Sequence, residues 1–113
     1  MHIIIIQEIP DQGSEWVFDS KNPNWCSTPH MNYFFLKAQQ NFMNDLLRTR
    51  GHVFLNEVYD ALGLPRTPIG ALMGWTTETY VDFGVDYSKD VDLNLFDPVN
   101  LKFNVQDIIF NKI

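Results

Sequence analysis

Apolar residues recur at three- and four-residue spacing between Pro29 and Arg50, as Phe35, Ala38, Phe42, Leu46 and Leu47. Lys37, Gln40, Asn41, Asn44, Asp45 and Arg48 take much of the remaining circumference. This period predicts one long helix that buries a single stripe. Thr28 and Pro29 supply an N-cap and a first helical position, and Gly51 the stop. A second, shorter helix is expected over residues 53–62, with Leu55, Val58, Tyr59 and Leu62 as its apolar face. Gly63 then takes the left-handed position that ends helices, and Pro65 blocks continuation. Thr67 and Pro68 repeat the capping pattern, so residues 69–73 read as one further turn closed by Gly74.

Beyond Trp75 the period changes to two. Val81, Phe83 and Val85 alternate with Asp82 and Gly84; Val91, Leu93 and Leu95 with Asp92 and Asn94; Val99, Leu101, Phe103 and Val105 with Asn100, Lys102 and Asn104. Three such runs predict an antiparallel meander with one buried face and one wet, largely acidic face. Near the start, the run Ile3, Ile4, Ile5 and Ile6 suits a short strand covered on both faces and is too short for a signal sequence or membrane span. Residues 10–29 mix Gly, Ser and Pro with Trp16, Phe18 and Trp25, which reads as a packed loop anchored by aromatic side chains. Residues 106–113 read as a short terminal helix through Ile108, Ile109 and Ile113.

Composition adds bounds. At 113 residues the chain has the size of a single domain, 1–113, and folding at this length buries roughly two thirds of the surface of the extended chain. A content of 45% hydrophobic residues, with nine Phe and three Trp, predicts a packed interior. The single cysteine, Cys26, forms no internal disulfide, which fits a cytoplasmic setting. The net charge of −6 is concentrated. Between residues 77 and 100 lie Glu78, Asp82, Asp86, Asp90, Asp92 and Asp97 against Lys89 alone, and such a field repels nucleic-acid phosphates and favours basic partners.

The words Asn32-Tyr33-Phe34-Phe35-Leu36-Lys37-Ala38-Gln39, Asp45 to Tyr59, Leu62-Gly63-Leu64-Pro65-Arg66-Thr67, Gly74-Trp75, Tyr80 to Gly84 and Leu101 to Val105 recur as a set. The sequence so resembles an uncharacterised bacteriophage protein family known by a domain-of-unknown-function label, family 6353, over the family's C-terminal domain. The resemblance covers nearly everything after Trp16. It implies a phage or prophage origin and a host-cytoplasmic setting, and it carries no chemistry to transfer.

Cys26 and His30 share a one-turn spacing, but a metal site needs two further ligands and a cysteine nucleophile needs a base and an oxyanion hole. His2 and His52 stand in unrelated contexts. Glu57 and Asp60 beside Arg48 and Arg50 read as a solvated helix face with ion pairs, because hydrolytic carboxylates come as a convergent pair. Arg48 and Arg50 form the one basic cluster, a candidate anion-binding site that also complements the helix dipole. Residues 55–75 have the outline of a helix-turn-helix, yet residues 68–75 lack the Arg, Lys, Asn or Gln a recognition helix presents to bases.

The reading that emerges is α+β: one long and one shorter helix packed on a small antiparallel β-sheet of three to four strands. Catalytic residues, cofactors and metals are expected to be none. The expected role is that of a phage accessory protein binding a basic protein partner through Asp82, Asp86, Asp90, Asp92 and Asp97, with inhibition of a host nucleic-acid-binding or defence protein as the specific form. Alternate positions on one sheet face lie about 7 Å apart, close to the phosphate repeat of a nucleic-acid strand. A helix-turn-helix DNA binder and a structural component of the particle are the alternatives.

Overall fold

The structure, a computed structural model, describes residues 15–87 and 98–113. The strand expected at residues 3–6 and the run through Val91, Leu93 and Leu95 lie outside the described residues. The elements are β1 (Glu15–Phe18), α1 (Pro29–Arg50), β2 (His52–Phe54), α2 (Leu55–Leu62), a 3-10 turn (Ile69–Ala71), β3 (Met73–Thr76), β4 (Val99–Lys102) and β5 (Asp107–Ile108). They form two antiparallel sheets, β1 with β4 and β2-β3-β5, and the chain is α+β as its pattern implies. No helix among the described residues is long and apolar enough to cross a membrane.

Helix α1 has the bounds the sequence marks. Thr28 is extended at φ −96°, ψ 114°, and its side chain makes no capping hydrogen bond. Its carbonyl instead accepts the Met31 N–H at 3.0 Å. Gly51 (φ 95°) and Gly63 (φ 77°) both end their helices in the left-handed conformation. The apolar face of α2 is also as expected, with Leu55, Val58, Tyr59 and Leu62 all fully buried.

Several assignments are corrected. The antiparallel meander is not formed among the described residues, since β4 pairs with β1 and residues 81–85 are not a strand. The stripe of α1 is rotated: Leu36, Met43 and Leu47 are buried while Ala38 and Phe42 are exposed. Residues 10–29 contain, in their described part, the strand β1, which pairs Trp16 with Leu101 and Phe18 with Val99. Its aromatics do anchor: Phe18 stacks on Phe35 at 5.7 Å and Trp16 meets Tyr59 edge-on at 5.5 Å. Residues 106–113 hold the two-residue strand β5 and turns instead of a helix. Residues 69–76 are a three-residue 3-10 turn followed by β3, so the second helix that a helix-turn-helix requires is not formed there.

The core sits between α1, α2 and the two sheets, with Tyr59, Trp75, Phe83, Leu101 and Phe103 packed together. The loop after α2 is held by Asn56, only 9% exposed. Its Nδ2 donates to the Thr67 carbonyl and its Oδ1 accepts the Thr67 N–H, both at 2.9 Å. Gly74 lies where β3 crosses β2; a methyl group there would overlap the Val53 carbonyl oxygen and sit 2.9 Å from the Phe54 Cα.

Candidate functional site

The acidic stretch expected to be a strand is built differently. Val81 and Phe83 are buried, Asp82 is half-buried and Gly84 exposed, so the alternation reports the buried side correctly. The backbone, however, is held largely by side-chain amides. Asn44 of α1 donates to the Val81 carbonyl at 2.9 Å and accepts the Val81 N–H at 2.8 Å. One turn earlier, Gln40 Oε1 accepts the Phe83 N–H and the Tyr87 hydroxyl, each at 3.0 Å. From the other side Asn104 accepts the Asp82 N–H at 2.8 Å and donates to the Tyr80 carbonyl at 2.9 Å. Two backbone bonds, Lys102 N–H to Phe83 and Asn104 N–H to Asp82, tie the segment to the β4 strand and its extension. Such paired bonds, to the half-buried amides of Asn44 and Gln40 and the exposed amide of Asn104, leave few backbone groups of this segment unsatisfied.

What this rim presents to solvent is Tyr80, 60% exposed, together with Glu78, Asp82 and Asp86. The Asp82 carboxylate accepts the Gly84 N–H at 2.7 Å, and Gly84 is left-handed at φ 75°. A side chain at Gly84 would stand 2.6 Å from the Lys102 carbonyl, so the residue allows both the turn and the close approach to β4. Burial, and then the Asp82 charge, push the Tyr87 hydroxyl well above the ordinary tyrosine range, which keeps it a neutral donor to Gln40. Asp90, Asp92 and Asp97 lie outside the described residues.

The basic pair does not converge. Two residues apart on a helix point to opposite sides, and Arg48 pairs with Asp45 while Arg50 turns toward α2. Arg50 donates to the His52 carbonyl at 2.9 Å and to Glu57 Oε1 at 2.5 Å. Glu57 in turn accepts the Phe54 N–H at 2.8 Å, which satisfies one free donor at the start of α2. Burial raises the Glu57 carboxyl, but the Arg50 hydrogen bond, the Phe54 N–H and the Arg50 and His52 charges together hold it below its ordinary value. An open cleft of about 470 Å³ includes Arg50, His52, Thr76, Glu78 and Lys112 in its wall; Arg48 is not part of it.

The remaining candidates resolve into structural contacts. Asp60 and Arg66 form a two-point ion pair at 2.9 and 2.5 Å. Cys26 is half-buried and His30 exposed. The backbone of Cys26 is bonded in both directions by Asn32, at 2.7 and 2.8 Å. Among the described residues no three His, Cys, Asp or Glu side chains gather as metal ligands would.

One feature escaped the sequence reading. The outer face of α1 carries Met31 (52% exposed), Phe34 (67%) and Phe42 (55%), with the exposed Ala38 between them. The signal was present as a second apolar stripe, opposite Leu36, Met43 and Leu47, in a helix too rich in apolar residues for one buried face.

A family model described as a family of unknown function (DUF6353) matches residues 3–112. No curated protein and no solved structure matches the chain.

Proposed function

We propose, for a chain that belongs to the family of unknown function DUF6353, a non-enzymatic accessory role exercised by binding a basic protein through the rim at residues 78–87. The observation that supports it is the amide-held backbone of that rim. Asn44, Gln40 and Asn104 fix the backbone of the segment from three positions, so Tyr80 and Asp82 are presented at little backbone ordering cost on association, with Asp86 just beyond them. An exposed tyrosine on a rigid backbone is the kind of anchor interfaces use. The surrounding carboxylates and the net charge of −6 attract a basic surface and speed its approach.

Asp90, Asp92 and Asp97 continue the acidic run in the sequence. A partner surface shaped for the nucleic-acid backbone fits that run, which is the basis for proposing an inhibitor of a host nucleic-acid-binding or defence protein. The bacteriophage setting belongs to the same proposal and rests on the motif resemblance.

The test uses Asp82→Asn and Asp86→Asn together. Asparagine at 82 keeps an acceptor for the Gly84 N–H and removes only the charge. Immobilised wild-type chain is expected to retain a basic host protein in a salt-sensitive manner, and the double variant to retain at least about tenfold less at an unchanged melting temperature. Equal retention by both chains rejects the rim as the contact surface.

A further inference from the structure

We draw no further inference here: the strongest candidate, the open groove of about 500 Å³ between β1 and the loop after α2, walled by Trp16, Val17, Leu64 and Pro65, carries nothing because nothing in the structure shows what covers it.

Discussion

Asn44 and Val81 hold each other through two opposed hydrogen bonds, the side-chain amide donating to the Val81 carbonyl at 2.9 Å and accepting the Val81 N–H at 2.8 Å. A helix side chain thus occupies the place a neighbouring strand would take. Asn44→Ala strips both partners at once from the backbone of a buried residue. The expected loss is about 1–3 kcal/mol, with faster amide exchange at Val81. Asn41→Ala, on the exposed side of the same helix, is expected to stay within about 0.5 kcal/mol of wild type. Thermal unfolding of the pair decides the matter; equal losses would mean that the amide clamp contributes little.

The same residue shows why part of the fold was legible in the sequence and part was not. The bounds of α1 and the apolar face of α2 follow from local signals: a Thr-Pro start, left-handed glycines and the 3.6-residue period. The alternation at residues 81–85 correctly told inside from outside, but it cannot tell what the backbone bonds to. Asn44 and Gln40 therefore read as solvent-facing polar positions. Strand β1 was hidden because its partner β4 lies at the far end of the described chain and its surroundings are rich in turn-forming residues. Strand β5 is two residues long, below what any periodicity can register. For the candidate site, Asp82 and Asp86 were legible as charges, while Tyr80 acquires meaning only once its backbone is seen to be fixed. The choice between the two apolar stripes of α1 depends on which face the rest of the chain covers.

Phe34→Ser and Phe42→Ser are expected to leave stability within about 0.5 kcal/mol, since both side chains are mostly exposed. Met43→Ala, one residue from Phe42 and 3% exposed, is expected to cost about 2–5 kcal/mol. Denaturant midpoints for the three variants check the rotation of the buried stripe. A large loss at Phe42 would place that ring in the interior.

At Gly74 an added methyl group meets the backbone of β2 instead of a movable side chain. Gly74→Ala must push apart the Val53 and Trp75 pair at the centre of its sheet. The expected cost is about 3 kcal/mol or more, read as a fall in melting temperature or in the yield of folded protein. A variant that melts with the wild type would show that β2 and β3 can separate freely.

Acid should weaken the fold through Glu57. Its folded value is depressed below the ordinary 4.5, so its contribution is present in full above that pH and is lost as the pH falls from 4.5 through the depressed value. Glu57→Gln loses the ion pair with Arg50 while keeping an acceptor for Phe54, and is expected to cost about 1 kcal/mol at pH 7. The variant should also show a shallower decline in melting temperature between pH 5 and pH 3. Asp60 is depressed by Arg66 in the same direction, but its exposure to solvent leaves it a minor share. Identical acid limbs for wild type and variant would assign the decline to other groups.

Inorganic phosphate is expected to leave the melting temperature unchanged within about 1 °C at millimolar concentration. Arg48 and Arg50 point apart and are each engaged by a carboxylate. A concentration-dependent rise abolished by Arg50→Ala would instead reveal an anion site in the cleft beside His52 and Lys112.

Both sheets are closed by residues 98–113: β4 completes the strand pair with β1, and β5 adds the last strand beside β3. During synthesis α1 and α2 leave the ribosome well before the segment that seals Trp75 and Tyr59 exists. The nascent chain therefore carries an unsealed apolar face until residues 98–113 have emerged.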